Sequence, residues 1–185
     1  MASIHSRRLA LGALLAFTAV VAGCAATPSG TDLAAVRRFA DREAIEGVLS
    51  RANRGFELSD PDLFANAFAQ DAVYELPGKG PVFGYEKMKY EGRAQIRTIL
   101  TSRLEKARNT DPKTLSYDPA TLRRFNRNTD DNIEIVDATH ARHTSTWMVV
   151  MHTNQNIHIS AVGRYEDDLV KRDGQWLIAK RIRSE

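Results

Sequence analysis

Two residues of this sequence are best suited to proton-transfer chemistry, one at the end of a predicted helix and one on a predicted strand. Glu57 ends the apolar stripe of the first predicted helix, between Phe56 and Leu58. A carboxylate at the mouth of an apolar pocket can act as a general base or acid without a cofactor. His143 shares one strand face with Trp147, because side chains alternate with period two. We therefore take Glu57 and His143 as the catalytic candidates.

Both candidates also have a structural interpretation. Glu57 can be a solvated glutamate at a helix end, paired with Arg54 three residues earlier. His143 can be a core or rim histidine whose hydrogen bonds are satisfied. In the catalytic interpretation Glu57 is the base and His143 is a hydrogen-bond donor. In the structural interpretation neither residue meets a ligand.

Four further residues are candidates for ligand binding. Tyr74 can donate its hydroxyl to a ligand carbonyl or can only close the core. Asn128 can polarise a ligand oxygen through its amide, or can lie at a strand edge in solvent. Trp147 lies on the strand face of His143, and Ala161 is the fourth candidate.

The predicted strand that contains Ala161 is expected to direct inward a face whose side chains become smaller along the strand. Ile157, Ile159, Ala161 and Gly163 alternate along it, and the small size of the last two leaves room for a ligand. Such a stripe is also typical of a packed core.

Other kinds of site are not indicated. His140, His152 and His158 show no spacing typical of a metal site, and the chain has one cysteine, so we expect neither a metal nor a cofactor. No glycine-rich phosphate loop is visible. Arg7 and Arg8 belong to the predicted leader, and without them the net charge falls from +3 to +1. This charge makes no case for nucleic-acid binding.

The arginines near the end of the chain form a separate group. Arg181 and Arg183 alternate with apolar residues, which predicts an arginine-bearing strand face. Such a face can meet anionic head groups or an acidic ligand, and otherwise is simply solvated.

The cysteine predicts export and lipid anchoring. A positive start, the apolar stretch 9–21 and the small residues Ala22 and Gly23 precede Cys24, in the layout of a bacterial lipoprotein signal peptide. An ordinary signal peptide or an uncleaved anchor are the alternatives. We expect a leader over 1–23, a lipid-bearing Cys24, a flexible tether over 24–31 and a domain over 32–185. Ala25 in place of aspartate favours the periplasmic face of the outer membrane in a Gram-negative cell.

The elements predict helices first and strands second. Apolar spacing predicts a helix over about 32–56 with Asp32 as its N-cap. A short helix is predicted after the capping residue Asp60, with Pro61 at its first position, and a third helix covers about 93–106. The buried face of the short helix is predicted to contain Leu63, Phe64, Ala67 and Phe68. Strands are predicted at 72–76, 122–136, 139–152, 156–171 and 175–183, and residues 79–92 as a loop or hairpin. Asp173-Gly174 favours a tight hairpin turn. This order predicts an α+β domain with a curved, mainly antiparallel sheet around three helices.

Several short motifs together resemble a known family. They are Ala44-Ile45, Asp71-Ala72-Val73-Tyr74, Gly92-Arg93-Ala94-Gln95-Ile96 and Gly163-Arg164-Tyr165-Glu166, followed by Arg172-Asp173-Gly174-Gln175-Trp176. In this order and spacing they resemble the SnoaL-like branch of the nuclear transport factor 2-like superfamily, over about residues 36–183. The resemblance implies a cystatin-like or ketosteroid-isomerase-like cone formed by a bent mixed sheet, with a mostly apolar pocket. It also implies that the face of His143 and Trp147, and Tyr74, point into the cone.

The resemblance also implies where a catalytic pair would lie, and this chain departs from it. In the dehydratase and dehydrochlorinase relatives an aspartate at the end of the first helix orients a histidine on the first long strand. The corresponding positions here are Glu57 and Asn128, and asparagine cannot take a proton at neutral pH. His143 could replace the missing histidine from the neighbouring strand.

Three functional hypotheses follow. The first is a lipid-anchored protein that binds a small hydrophobic molecule without a complete catalytic set. The second is a cofactor-independent isomerase, dehydratase or cyclase with Glu57 as general base. The third is a homodimeric interaction module that pairs through the outer face of the sheet.

Overall fold

The structure is a computed structural model that describes residues 30–78, 87–111, 123–152 and 156–185. The predicted leader, Cys24 and most of the tether lie outside the described residues, as do residues 153–155 between two of the predicted strands. No helix among the described residues is long and apolar enough to cross a membrane.

Three helices precede the long strands, as predicted. Helix α1 (Gly30–Leu58) buries the expected stripe: Ile45, Val48, Leu49, Ala52 and Phe56. The helix begins two residues earlier than predicted, so Asp32 lies in its first turn and is not its N-cap. Helix α3 (Gly92–Asn109) extends a little beyond the predicted range at both ends.

The short helix α2 (Pro61–Ala65) confirms the predicted cap. Asp60 Oδ1 accepts the backbone N–H groups of Asp62 at 3.0 Å and Leu63 at 2.9 Å. The helix ends sooner than expected, because the chain turns at residues 66–67 and enters a strand. Phe68 therefore packs into the core from a strand, and its prediction as a helical residue was wrong.

Six strands form one curved open sheet, which confirms the α+β class. They are β1 (Phe68–Leu76), β2 (Met88–Glu91), β3 (Arg123–Ile135), β4 (His140–His152), β5 (Ile157–Arg172) and β6 (Gln175–Ser184). The order across the sheet is β2-β1-β6-β5-β4-β3, and the pair β1–β6 is parallel while the others are antiparallel. The sheet is thus mixed, and α1 packs against β3 and β6 while α3 packs against β1.

The turn between β5 and β6 is the predicted hairpin. Asp173 and Gly174 have φ angles of 51° and 77°, the left-handed conformations that a two-residue turn of this kind requires. The hairpin places Lys171 and Trp176 beside α1. Both donate to Asp41 Oδ1, at 2.6 and 2.9 Å, and so fasten the exposed half of the helix to the sheet. These hydrogen bonds, that of Lys171 first, lower the pKa of Asp41.

The inner face of β4 is the one predicted. His143, Ser145, Trp147 and Val149 are buried, and they alternate with partly or fully exposed residues. The alternation predicted for β5 holds from Ala161 onward.

The first residues of β5 depart from that prediction. Ile157 and Ile159 are 68% and 61% exposed, so their expected inward orientation was wrong. The cause is a register shift: Val149 pairs with Ala161 but Val150 pairs with Ile159, so that Ser160 is an extra residue. An extra residue transfers the preceding side chains to the opposite face.

Candidate functional site

A cleft of about 620 Å³ lies between the C-terminal half of α1 and the inner face of β3. The helix contributes one side, at spacings of three and four residues, and the strand contributes the other. The lining residues are Glu46, Leu49, Ser50, Asn53, Arg54 and Glu57 from α1, and Asn126, Arg127, Asn128, Asp131 and Ile133 from β3. Only Leu49 and Ile133 are apolar, so this cleft is more polar than the pocket expected from the resemblance.

Glu57 lies in this cleft and links the helix to the strand. Its Oε1 accepts the backbone N–H of Asn126 at 2.8 Å and lies 3.5 Å from Nη1 of Arg127. The ionic partner is therefore on β3, and is not Arg54, which the sequence suggested. The N–H donor of Asn126 and the guanidinium of Arg127 fix the position of this carboxylate.

Asn128 also lines the cleft, together with Asn126 two residues earlier. Asn128 Nδ2 donates to Ser145 Oγ at 3.2 Å, and Asn126 Nδ2 donates to Asn53 Oδ1 at 3.4 Å. The Oδ1 atoms of both asparagines are closed off from solvent without a hydrogen-bond partner. Buried polar atoms are nearly always paired, so two unpaired oxygens in one wall mark it as unusual.

His143 belongs to a row of charged side chains that crosses the sheet at one level. Strand register sets His143 opposite Asp167, and Asp167 opposite Arg181. His143 Nδ1 lies 2.8 Å from Asp167 Oδ2, and Nε2 lies 2.9 Å from Asp131 Oδ1. Arg181 donates to both oxygens of Asp167, from Nε at 2.7 Å and from Nη2 at 2.8 Å. Asp131 belongs to the cleft, so the row connects the cleft to the interior of the sheet.

The row is buried except at Asp131. The side chains of His143, Asp167 and Arg181 are 0–1% exposed, whereas that of Asp131 is 47% exposed. Arg181 was predicted on an arginine face open to solvent or a ligand. That prediction was wrong, because a register shift near Leu169 and the ion pair with Asp167 hold Arg181 inside.

The attraction between Asp167 and Arg181 outweighs the cost of burying their charges. Burial acts to raise the pKa of Asp167, but the charge and hydrogen bonds of Arg181, with a further bond from His143, hold that pKa below its ordinary value. Burial likewise acts to lower the pKa of Arg181, and Asp167 raises it. The guanidinium also lies 4.2 Å from the ring centre of Tyr165, a favourable cation–π geometry.

Tyr74 lies away from the cleft. It is 2% exposed and packs among aromatic rings, with centroid distances of 6.3 Å to Phe64, 6.0 Å to Phe68 and 6.4 Å to Tyr90. Burial raises its pKa. This position supports the structural interpretation, in which the tyrosine closes the core.

Trp147 and Ala161 form a second apolar cluster with Val149 and Tyr165, also apart from the cleft. Trp147 Nε1 donates to the backbone oxygens of Arg164 at 3.1 Å and Ser184 at 3.2 Å. The Arg183 guanidinium lies 3.8 Å from the Trp147 ring centre. The indole is thus fully engaged with protein groups.

The structure brings together Glu57 and Asn128, places His143 behind Asp131, and leaves Tyr74, Trp147 and Ala161 outside the cleft. The sequence analysis missed Asp131, Asp167 and Asn126. Asp167 carried a usable signal, since it alternates with the apolar residues Tyr165 and Leu169 and is therefore a charge at an inward position. Among the described residues, no cluster of three histidine, cysteine, aspartate or glutamate side chains could hold a metal ion.

A bent mixed sheet packed against three helices is the arrangement of a cystatin-like α+β domain. The family model described as SnoaL-like domain matches residues 37–182, and the chain belongs to this family. No curated protein sequence matched the chain.

Solved structures share the fold at low sequence identity. An NTF2-like protein with a cystatin-like fold from Novosphingobium aromaticivorans is 16% identical with a TM-score of 0.64, covering 84% of this chain and 89% of that one. A variant of Rv3472, a protein of unknown function from Mycobacterium tuberculosis, is 22% identical with a TM-score of 0.61, covering 80% and 73%. LinA is 17% identical with a TM-score of 0.59, covering 80% and 88%. These likenesses support the fold alone.

Proposed function

We propose that this SnoaL-like domain binds a small neutral organic molecule in the cleft between α1 and β3. The observation that carries the proposal is the cleft, whose volume of about 620 Å³ lies within the range of small-molecule sites, roughly 300–1,000 Å³. Leu49 and Ile133 offer apolar surface to the hydrophobic part of a ligand. Polar groups from two elements converge on the rest and would set its orientation.

The paired carboxylates of the cleft favour a neutral ligand over a cationic one. The three carboxylates already face cationic or proton-bearing partners. The pairs are Glu46 with Arg42 at 3.1 Å, Glu57 with Arg127 at 3.5 Å and Asp131 with His143 at 2.9 Å. A cationic ligand would have to compete with these pairs, whereas a hydroxyl or carbonyl compound need not. A torsional change at Asn126 or Asn128 would let an unpaired amide oxygen accept a ligand O–H or N–H.

Retention of a compound from a cell extract tests the binding proposal. The purified protein is equilibrated with the extract and desalted, and the retained small molecules are identified by mass spectrometry. Ser50→Trp places a bulky ring in the cleft from an exposed position on α1 and should abolish retention. The matched control is Arg51→Trp, which introduces the same tryptophan one position along α1 but outside the cleft lining. This variant should retain the compound. Equal retention by both variants would exclude the cleft.

A second candidate is a cofactor-independent isomerase, dehydratase or cyclase with Glu57 as general base. It is favoured by the position of Glu57, whose carboxylate lines the cleft while Oε1 is fixed by the N–H of Asn126. A carboxylate held in place beside a bound carbon acid can remove a proton. Glu57→Gln should then abolish turnover of the retained compound while the fold survives, and unchanged turnover would reject this role.

We further propose that the protein is exported and held at a membrane by lipid on Cys24, on the periplasmic face of the outer membrane in a Gram-negative cell. The support is the sequence pattern alone. Cells fed a labelled fatty acid should label the parent chain but not Cys24→Ala. Ala25→Asp should remain labelled and fractionate with the inner membrane. Label on Cys24→Ala would refute the anchor.

We also propose that two copies pair through the outer face of the sheet. Ile157, Ile159 and Val162 expose 50–68% of their surface there, and Phe125 exposes 38%. An exposed apolar patch of this kind commonly marks an interaction surface, and a two-fold pairing would cover the patch of one copy with that of the other.

A further inference from the structure

A bulge in β3 directs Asp131 toward both the cleft and the interior. Thr129 pairs with Thr146 and Asn132 pairs with Thr144, so Asp130 and Asp131 together face the single residue Ser145. Asp130 has a φ of 55°, in the left-handed region that non-glycine residues rarely adopt. Without the extra residue the alternation would place Asp130, and not Asp131, on the inner face. Bulges frequently re-aim a side chain beside an active site.

The contacts of His143 require a proton between it and Asp131. Both oxygens of Asp167 accept hydrogen bonds from Arg181, and Oδ2 also lies 2.8 Å from His143 Nδ1. The carboxylate of Asp167 is an acceptor only, so Nδ1 carries hydrogen. In the neutral ring Nε2 would then be a bare acceptor facing Asp131 Oδ1 at 2.9 Å. That contact is a hydrogen bond only when one proton is shared between Nε2 and Oδ1.

Within the row formed by Asp131, His143, Asp167 and Arg181, Asp131 is the residue that a ligand in the cleft can contact. The His143 ring is fully buried and both of its nitrogens are engaged, whereas the carboxyl group of Asp131 is half exposed and lines the cleft. Glu57 is less exposed, at 21%. The buried Asp167–Arg181 pair holds His143 from behind and so fixes the position of Asp131.

We propose that Asp131 is a proton-accepting group of the cleft toward a neutral carbon acid, and that His143 is its positioning residue. The proposal rests on the proposed binding function. A carboxylate is a weak base, so the C–H bond must be activated by an adjacent carbonyl or comparable electron-withdrawing group. In the step, the C–H bond breaks, its electron pair passes into the activating group, and the proton forms an O–H bond with Asp131. The proton shared with His143 stays in place and offsets the negative charge of Asp131, and the new proton later returns to product or solvent.

Cleavage of nitrobenzisoxazole tests this chemistry without knowledge of the natural ligand. In that probe a base removes one C–H proton, the electron pair forms the nitrile, and the N–O bond breaks to release a coloured phenolate. The parent protein should cleave it faster than free carboxylate at the same concentration. Asp131→Asn should lower kcat/KM about 100-fold, the scale of one acid–base group. Asp130→Asn, the same change one residue earlier on the bulge, should leave the rate unchanged.

Each other outcome overturns the proposal. Equal rates for the parent and Asp131→Asn would remove Asp131 from the chemistry. A loss confined to Glu57→Gln would assign the base to Glu57. Absence of cleavage by the parent would also refute the proposal. In that case, retention of the extract compound by the parent and Arg51→Trp, but not by Ser50→Trp, would show that the cleft binds a ligand without this chemistry.

The role of His143 needs a readout that loss of structure would not produce. His143→Gln should lower kcat and leave KM unchanged. Nitrogen NMR of the imidazole provides the second readout, with the His143 signals assigned by their loss in His143→Gln. In Asp131→Asn the amide can donate to Nε2, so the ring should become neutral with hydrogen on Nδ1 alone. Identical ring shifts in the parent and Asp131→Asn would contradict the shared proton.

Discussion

Replacement of Asp167 by asparagine tests how strongly the buried row holds the sheet together. Asp167 accepts from Arg181 at 2.7 and 2.8 Å and contacts His143 at 2.8 Å, and all three side chains are 0–1% exposed. Asparagine has nearly the same shape but only one acceptor oxygen, and its NH₂ group would face N–H donors. Asp167→Asn therefore leaves the Arg181 charge buried and uncompensated.

The expected loss of unfolding free energy is about 3–5 kcal/mol, the usual cost of removing one partner from a buried ion pair. Domains of this size are typically stable by about 5–15 kcal/mol, so the variant should lose roughly a fifth or more of its stability. Asp168→Asn, one residue along on the outer face of β5, should change stability by no more than about 0.5 kcal/mol. The double variant Asp167→Leu with Arg181→Met removes both charges and should recover part of the loss.

Urea unfolding followed by circular dichroism measures these differences across pH. The pKa of Asp167 is held below its ordinary value. Its stabilisation is therefore complete above the unfolded pKa of about 3.9 and is lost as the pH falls through the folded value. The difference in unfolding free energy between the parent and Asp167→Asn should be largest near neutral pH and should become smaller in acid. A loss of unfolding free energy below about 1 kcal/mol at neutral pH would refute this reasoning, as would a difference between the two proteins that does not change with pH.

Three further predictions concern the fold and the assembly. Gly163→Ala should cost about 2 kcal/mol or more, because a Cβ there would collide with the backbone oxygen of Ser184, whereas Gly47→Ala, in open space on α1, should stabilise by up to about 1 kcal/mol. Asp41→Asn should cost about 1 kcal/mol in urea unfolding at neutral pH, and the cost should shrink in acid, since the pKa of Asp41 is lowered in the folded state. Val162→Asp should convert a dimer into a monomer in light scattering.

The contrary results are equally definite. A neutral Gly163→Ala would mean that β5 and β6 are farther apart than described. A cost of Asp41→Asn that persists in acid would show that its charge is not the source of the stabilisation. A parent protein that is monomeric at all concentrations would exclude pairing through the outer face.

Much of the fold follows from short-range signals in the sequence. The stripe of Ile45 and Val48, the cap at Asp60 and the Asp173-Gly174 turn each depend on local chemistry, and each prediction was confirmed. Register shifts are different, because an extra residue in a strand depends on its pairing partners. The shifts near Ser160 and Ala179 therefore reversed the expectations for Ile159 and Arg181.

The candidate site was predictable only in part for the same reason. Glu57 was predicted from its position at the end of the helical stripe, and Asn128 from the family resemblance, which implies the histidine position there; both line the cleft. Asp131 was missed, since simple alternation without the bulge puts Asp130 inward. The partners of His143 come from strands that are distant in sequence, and no spacing within one strand reveals them.

The central claim is that a ligand occupies the cleft between α1 and β3, and an amide NMR footprint tests it most directly. The compound retained from extract is titrated into labelled protein, and backbone shifts are followed residue by residue. We predict that the largest changes fall on 46–57 of α1 and 126–133 of β3. Changes centred instead on Trp147 and Ala161, with the cleft unmoved, would contradict the account.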